Sequence, residues 1–332
     1  MSKINLRIAA ERIEGGCDYE VNPEWDKLPL ILTSPEFIES IDNNENLTTL
    51  DKVVGDKFIT RGHENIDYNA DGPSLPLLDN SFQIINNFVG LLPEVQAQQY
   101  DTPKKRRVFG DDGYKVLIVE GIRPITKDAP GVEGHSNELA DVLNQYGWML
   151  KDWRDTYRTS VDRLGTQITA LRAGVTDQKI HTDRTVYGIR TRDKEKAYHL
   201  SGVLNSLLYT IIQISWYGRI RFTAKDVVSN VRLKSLKKAP IPRVDNDLAE
   251  IQENIESTIR GDLPLDERME ELAQLQHDRE TKVCELYDLL DDEGKPSEAL
   301  LSEAKEWQAL CERILDFSEE DSTLRNSTLS EF

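Results

Sequence analysis

Basic side chains are concentrated in the middle of this 332-residue chain, although its net charge is −18. Residues 100–245 contain 26 Lys and Arg against 17 Asp and Glu, whereas the remaining residues contain 15 against 42. Lysine and arginine neutralise phosphates and release condensed counterions, and a local basic face attracts a polyanion whatever the overall charge. The pattern predicts a polyanion-binding middle segment. Adaptation to a salty cytosol would be an additional cause of the acidic surface. It would account for the acidic flanks but not for the basic middle.

Several basic residues of this segment stand beside predicted strands or between a predicted buried helix and a proline pair. Their side chains could neutralise phosphates, and arginine can also bind base edges through two hydrogen bonds. They could instead decorate helix faces or pair with the acidic flanks. The candidate DNA-contacting residues of this group are Lys104, Lys105, Arg106, Arg107, Arg123, Arg190, Arg192, Arg219, Arg221, Lys225, Lys234 and Lys237.

Residues that could carry catalysis are not arranged in a recognised motif. The chain has no glycine-rich phosphate loop, no nucleophile elbow and no HExxH zinc helix. Its five histidines lack metal-ligand spacing, so we interpret each as a surface or locally bonded residue. Residues 22–25 (NPEW) approach the Asn-Pro-Pro-aromatic motif that holds a flipped adenine. The third residue is Glu and no glycine-rich strand precedes it, so we interpret this stretch as a turn.

The overall composition is that of a soluble, cytoplasmic protein without a membrane partner. No stretch approaches eighteen apolar residues, and the N-terminus lacks the apolar segment of a secretion signal. Cys17, Cys284 and Cys311 are odd in number and widely separated. This spacing predicts reduced thiols rather than disulfides or a zinc site.

Short β-rich runs predict the strands of an α+β fold. Residues 115–119 and 185–190 are predicted to be buried strands, while the apolar run at 80–92 suits either a short strand or a buried helix. Residues 223–226 resemble a helix-capping pattern before Val227.

Helices are predicted from their start signals and from the three/four spacing of apolar residues. Residues 34–36 (SPE) predict a helix start, and residues 137–150 predict a helix. Residues 194–217 have the strongest helical pattern, with a broad buried face. The Pro-Ile-Pro sequence at 240–242 ends the basic region, because proline resists continuing a helix.

The last part of the chain differs in charge from the middle, with 8 basic and 25 acidic residues in 246–332. It predicts helices at 247–260, 265–290 and 296–317, followed by a frayed tail. We therefore divide the chain into a mixed N-terminal segment (1–99), a basic recognition core (100–245) and an acidic helical segment (246–332).

A series of short motifs resembles the target-recognition domains of type II restriction-modification adenine methyltransferases. Residues 197–207 (AYHLSGVLNSL) are similar to the family's L-x-G-x-L-N-S helix, and residues 233–242 to its L-K-x-L-P-I-P exit. Residues 115–119 and 187–189 match two strands of the recognition fold, and residues 281–289 resemble its V-x-E-L-Y-x-L helix.

The opening of such a domain, also seen in specificity subunits, is similar to residues 49–54 followed by 60–63 (TRGH). This match adds Arg61 and His63 to the candidate DNA-binding residues. The resemblance covers roughly residues 45–290. It implies a twisted β-rich recognition domain with flanking helices and a helical C-terminal segment.

The helix motif is expected to be mainly architectural. Its leucines and Val203 should lie in the core, whereas Asn205 and Ser206 should bond backbone groups within the fold. The family's cofactor and catalytic motifs have no match in this chain. The resemblance therefore places S-adenosylmethionine on a partner methyltransferase and no cofactor or metal here.

From these observations we expect the chain to recognise a specific sequence in double-stranded DNA on behalf of a restriction-modification adenine methyltransferase. Catalysis, and any nuclease, would reside in another subunit, so the chain is not expected to be an enzyme by itself. It could alternatively be a separated fragment of a split methyltransferase or nuclease. The acidic excess favours a different class, a protein-interaction or inhibitory factor of a defence system. A nuclease would need a metal-binding carboxylate cluster, which the sequence does not reveal.

Overall fold

The computed structural model defines the fold of the chain over most of its length. The described residues are 35–63, 66–67, 71–78, 84–85, 88–89, 94–99, 102–119, 173–182, 186–212, 219–222, 227–230, 233–261, 263–295 and 297–302.

Helices and short strands alternate along these residues. The helices are α1 (Pro35–Asn43), α2 (Leu50–Val54), α3 (Pro103–Lys105), α4 (Lys194–Leu204), α5 (Leu207–Ile212), α6 (Leu233–Lys238), α7 (Asn246–Arg260) and α8 (Leu265–Leu286), together with a 3₁₀ turn at Asp56–Phe58 and a π turn at Arg106–Gly110. The strands are β1 (Leu47–Thr49), β2 (Ile59–Arg61), β3 (Ile66–Asp67), β4 (Ser74–Leu78), β5 (Ile84–Ile85), β6 (Phe88–Val89), β7 (Glu94–Gln96), β8 (Gln98–Gln99), β9 (Tyr114–Val119), β10 (Ala173–Thr176), β11 (His181–Thr182), β12 (Val186–Thr191), β13 (Arg219–Phe222), β14 (Val227–Asn230) and β15 (Pro240–Pro242).

The centre of the fold is a four-stranded antiparallel sheet with the order β10-β9-β12-β2. In its register, Tyr187 of β12 lies opposite Ile118 on one side and Arg61 on the other. A three-stranded sheet has the order β11-β4-β7, and β1 pairs with β15. Two-stranded pairs are formed by β3 with β8, β5 with β6, and β13 with β14. The mixture of helices and mainly antiparallel strands confirms the predicted α+β class.

Side chains of the central sheet alternate between two buried faces, because successive residues of a strand point in opposite directions. Val116, Ile118 and Ile189 lie in a large core shared with the helices. Leu117 and Val186 lie in a smaller core on the other face. Strands covered on both faces have nearly continuous apolar sequences, which is why β9 and β12 could be recognised in the sequence.

The large core lies between the sheet and a layer of helices. Helix α4 follows β12 directly and packs on β9, β10 and β12, and α7 packs against both α4 and α8. A Cβ atom at Gly202 would lie 3.1 Å from the Leu248 side chain, so the glycine lets α4 and α7 approach closely. Core residues extend from Phe37 to Leu300, so all three charge-defined segments contribute to this one core.

The smaller core is built around the π turn that follows α3. Phe109 and Val108 are buried against the sheet, where a Cβ atom at Gly188 would come within 2.3 Å of the Phe109 ring. Only a glycine at this position of β12 leaves room for the ring. Because Val108 and Phe109 are anchored in this core, the basic residues that precede them in α3 and the π turn are held at the surface.

The outer edge of strand β10 is closed by side chains from the helical layer. The Asn205 amide accepts a hydrogen bond from Ala173 N (2.8 Å) and donates one to Ala173 O (2.8 Å), as a neighbouring strand would. Ser201 Oγ also donates to Ala173 O (3.3 Å), and Glu256 Oε1 accepts from Val175 N (3.1 Å). These bonds satisfy edge groups that would otherwise be buried without partners.

Several predicted elements are confirmed. Strand β9 covers the predicted run at 115–119, and β12 covers residues 186–190 of the other run, whose residue 185 lies outside the described residues. A helix begins at Pro35, and α7 matches the predicted helix closely. Within the ambiguous apolar run at 80–92, the described residues form the strands β5 and β6 and no helix. The core positions of Leu200, Val203 and Leu204 and the backbone bonds of Asn205 are also as expected.

Other predictions are wrong in part. The long helix expected at 194–217 is interrupted after Leu204, because Ser206 Oγ donates to Val203 O (2.7 Å) and accepts from Tyr209 N (3.1 Å), which starts a new helix. Helix α8 ends at Leu286 rather than 290, since Asp288 adopts a positive φ of 58°. The capping pattern before Val227 precedes strand β14 instead of a helix.

Some predictions lie outside the described residues. They include the helix at 137–150, the turn at 22–25, the tail at 318–332, and Cys17 and Cys311. The helix expected at 296–317 is described only to residue 302, where residues 298–302 are helical. Cys284 is a buried free thiol.

His199 joins α4 to the start of α7. Its Nδ1 accepts a hydrogen bond from Asp245 N (3.2 Å), and its Nε2 lies 3.3 Å from Pro242 O. One acceptor and one donor are what a neutral imidazole with its proton on Nε2 provides. Burial lowers the pKa of His199 to about 4 from its usual 6.5.

Replacing Asn205 with Leu should lower the free energy of unfolding by about 2–4 kcal/mol, because both edge groups of Ala173 lose a partner in the interior. The exposed Asn254 of α7 provides a matched control, and N254L should change stability by no more than about 0.5 kcal/mol. Urea denaturation of both variants checks this. Equal effects of N205L and N254L would contradict the role given to the amide.

Acidification should destabilise the fold through His199. Its folded pKa is below the unfolded value, so its contribution is fully present above pH 6.5 and is lost as pH falls towards 4, at most about 3 kcal/mol. Glutamine can provide the same donor and acceptor without titrating. The stability difference between wild type and H199Q, measured by urea denaturation from pH 4 to 7, should therefore change across this window. A difference independent of pH would refute the assignment.

Candidate nucleic-acid interface

Two lysines far apart in the sequence converge on the carboxylate of Asp56 in the 3₁₀ turn. Lys104 Nζ lies 3.0 Å from Oδ2, and Lys237 Nζ lies 2.6 Å from Oδ1. The lysines are 48 and 181 residues from Asp56, so this arrangement exists only in the folded chain. Hydrogen bonds from Lys237 and Lys104 lower the pKa of Asp56 to about 2. We call Asp56, Lys104 and Lys237 the lysine clamp.

The basic run that contains Lys104 is held at the surface by its local structure. Thr102 caps α3 by accepting a hydrogen bond from Lys105 N (3.4 Å), and Pro103 occupies the first turn. The buried residues of the π turn then anchor the C-terminal end of the run. Arg106 is exposed, whereas Lys105 and Arg107 are half-buried. The run thus presents several cations beside the clamp.

A second ion pair adjoins the clamp. Lys238 Nζ, one residue beyond Lys237, lies 2.9 Å from Asp51 Oδ2 at the start of α2. The Asp51 carboxylate also accepts a hydrogen bond from the Thr49 hydroxyl. Neighbouring lysines at the end of α6 are therefore joined by ion pairs to α2 and to the 3₁₀ turn that follows it.

Arg190 has a structural position at the end of β12. Its side chain is only 10% exposed. Its Nε donates to Asp112 O (2.9 Å), and Nη1 lies 3.4 Å from Asp111 Oδ2. The loop that it holds depends on Gly113, which has a φ of 115° and where a Cβ atom would lie 2.9 Å from Thr191 O. Arg190 is thus already occupied by protein partners.

Arg192, two residues further on, is exposed and lines two adjoining clefts. One cleft also contains Phe58 and Lys196, and the other contains Lys179 and the loop at 110–113. Phe58 belongs to the same 3₁₀ turn as Asp56, so the clefts continue the basic surface that begins at the clamp. An anion lying in either cleft would meet Arg192.

Lys115 adds a positive charge beneath this surface. Its side chain is buried, and Nζ donates to Gly113 O (2.8 Å) and Asp177 O (3.4 Å). Burial, together with repulsion from Arg190, lowers the pKa of Lys115 to about 8. Lys115 therefore supports the loop at 111–113 from inside.

The two candidates drawn from the domain-opening motif differ in exposure. Arg61 is half-buried in β2. His63 is only 2% exposed, its Nδ1 lies 3.3 Å from Thr182 Oγ1, and its ring packs against Phe109 at 5.7 Å between centroids. A buried ring with these partners cannot reach a duplex in this conformation, so we do not include His63 or Arg190 in the proposed interface.

The remaining candidates are described less fully. Arg123 and Lys225 lie outside the described residues. Arg219 and Arg221 are in strand β13, and Lys234 is in α6, with only the backbone described. Their DNA contacts stay predictions.

Sequence reasoning missed residues that the fold brings to the same surface. Asp56 was not singled out, because an acidic residue in an acidic segment carries no signal of its own. Lys179 and Lys196 were also missed, since each stands among acidic neighbours in the sequence. Their positions depend on contacts between distant segments.

The described residues also limit other kinds of site. Among them, no group of three or more His, Cys, Asp or Glu side chains is placed to hold a metal ion. Within the same residues, every helix is too short or too polar to span a membrane.

Comparisons with known proteins find likenesses among solved structures alone. No known family model matches the sequence, and no curated protein matches it. A solved structure described as "Structural basis underlying complex assembly and conformational transition of the type I R-M system" is 12% identical, with a TM-score of 0.30, over 93% of this chain and 51% of that chain. This chain thus spans about half the length of that one. A TM-score of this size does not establish a shared fold or activity.

The two arginines at the end of β12 and just beyond it should respond differently to substitution. Arg190→Ala should lower the free energy of unfolding by about 2 kcal/mol or more, because Asp112 O and Asp111 lose a charged donor. Arg192→Ala should change it by no more than about 0.5 kcal/mol, since the residue is exposed. Thermal and urea unfolding measure both. A larger loss of stability in R192A than in R190A would contradict the structural role given to Arg190.

Proposed function

We propose that this chain binds double-stranded DNA and recognises the target sequence for a restriction-modification adenine methyltransferase whose catalytic domain is on another chain. The observation that carries the proposal is the lysine clamp, in which Lys104 of the basic run at 104–107 meets the distant Lys237 at Asp56. Clustered cations on one folded surface are what binding to a phosphate backbone requires.

The charges of the described surface support a polyanion ligand in a chain that is acidic overall. The segments at 102–110 and 233–243 contain basic residues and no acidic ones. Their lysines pair with Asp51 and Asp56, which come from a third segment of the chain. Exposed Arg192 extends this surface away from the clamp. Contacts to phosphates would set the position on the duplex, and side chains on loops would read bases.

Catalysis is assigned to a partner. The sequence lacks the family's cofactor motif, and S-adenosylmethionine would be bound by the methyltransferase subunit, with a nuclease as a further possible subunit. The acidic helices α7 and α8 are proposed to contact that partner. The acidic residues near the start of α8 are Asp266, Glu267, Glu270 and Glu271. A separated fragment of a split enzyme would use the same two surfaces.

The proposal is tested by measuring the binding of random-sequence duplex DNA. Fluorescence anisotropy reports the affinity at salt concentrations of about 50–200 mM. A K105A/R106A/R192A variant should bind less tightly, and the slope of log K against log salt should become shallower by up to about 0.9 for each phosphate that the variant no longer neutralises. These residues do not form the ion pairs that hold the clamp, so folding should be retained. Lys295, which is exposed and pairs with Glu293, gives the control K295A, which should bind like wild type.

A salt-dependent affinity that falls in the triple variant and not in K295A supports DNA binding. No salt-dependent binding by the wild type would overturn it and would favour the interaction or inhibitory factor, since an apolar protein interface is insensitive to salt.

A further inference from the structure

We infer that Lys104 and Lys237 form a binding site for one phosphodiester group of duplex DNA, and that Asp56 occupies this site in the free protein until a phosphate replaces it. This inference rests on the proposed DNA-binding function and specifies one of its contacts. The lysine clamp therefore contains both the site and an internal competitor for it.

The geometry of the clamp is that of two cations sharing one anion. Each oxygen of the Asp56 carboxylate faces a different ammonium group, at 3.0 Å and 2.6 Å. A phosphodiester also presents two non-bridging oxygens on one atom, and can accept from both lysines in the same way. The lysines come from α3 and α6, so the core holds their separation before any ligand arrives.

The exposure of the Asp56 side chain allows a phosphate to replace its carboxylate. The Asp56 side chain is 63% exposed, whereas the side chains of Lys104 and Lys237 are 34% and 18% exposed. The carboxylate thus lies on the solvent side of the pair, where a duplex would approach. Ion pairs at exposed sites are weak, so little stability is sacrificed when the carboxylate swings away, and DNA gains by releasing counterions.

The remaining groups around the clamp favour an anion. Lys105 and Arg106 follow Lys104 on α3 and the π turn, and Lys238 follows Lys237. The neighbouring carboxylate, Asp51, already pairs with Lys238 at 2.9 Å. Asp56 is thus the acidic residue that directly opposes a phosphate at Lys104 and Lys237.

The test is a double-mutant cycle on the full chain with random-sequence duplex DNA. D56N removes the competing charge and should tighten binding about threefold to tenfold at low salt, with a steeper salt slope. In the K237Q background the gain from D56N should largely disappear, because the second lysine is missing. E293Q removes a charge of similar exposure, 72%, which pairs with Lys295 outside the proposed interface, and it controls for a general change in charge.

The outcomes separate this inference from the proposed function. A gain in affinity in D56N that exceeds the gain in E293Q and depends on Lys237 supports the phosphate site. If the wild type binds DNA with salt dependence but D56N binds equally or more weakly, Asp56 merely positions the lysines. The inference then fails, and the proposed function is unaffected. If neither wild type nor D56N binds DNA, both the inference and the proposed function fail. Urea denaturation of D56N establishes that the variant is folded in each case.

Discussion

The fold depends on how the helical layer closes the open edge of strand β10. Asn205 pairs with both backbone groups of Ala173, and Glu256 accepts from Val175 N, so the helical layer is bonded directly to the sheet at two points. An unpaired edge in the interior would leave polar groups without partners, and an exposed one would invite pairing with other chains. Helix α4 also follows β12 directly, so its N-terminus lies next to the end of β12. The loop at 111–113 and the clefts around Arg192 are built from that end.

Charged residues of the basic segment have two distinct physical roles. Arg190 and Lys115 are buried and use their charges on backbone carbonyls in and around the loop at 111–113. Arg192 and Arg106 are exposed and retain solvent-facing charge. A basic residue with buried carbonyl partners stabilises the protein and is not free for a ligand. The net positive charge of the segment therefore overstates the number of cations that a duplex could meet.

The sequence was sufficient to predict the elements whose signals are local. Apolar runs identified β9 and β12, the Pro35 start identified α1, and the LNS motif was correctly assigned to the fold rather than to DNA. The break at Ser206 was missed, because its cause is a hydroxyl bond that competes with a strong helical pattern. The lysine clamp could not be predicted, since residues 56, 104 and 237 are brought together only by long-range packing. The exposure of Arg192 and the burial of His63 likewise depend on neighbours distant in the chain.

The dependence of the clamp on folding has a consequence for recognition. A basic run such as residues 104–107 attracts a polyanion even in an unfolded chain, but it fixes no geometry. The fold adds Lys237 at a set distance and gives the pair an internal anion that holds both ammonium groups in place. In the proposed site, a phosphate that engages one lysine would leave the other paired with Asp56, whereas a phosphate that engages both would replace Asp56. In the proposed DNA-binding function, the run would attract the duplex by charge and the clamp would fix the position of one phosphate.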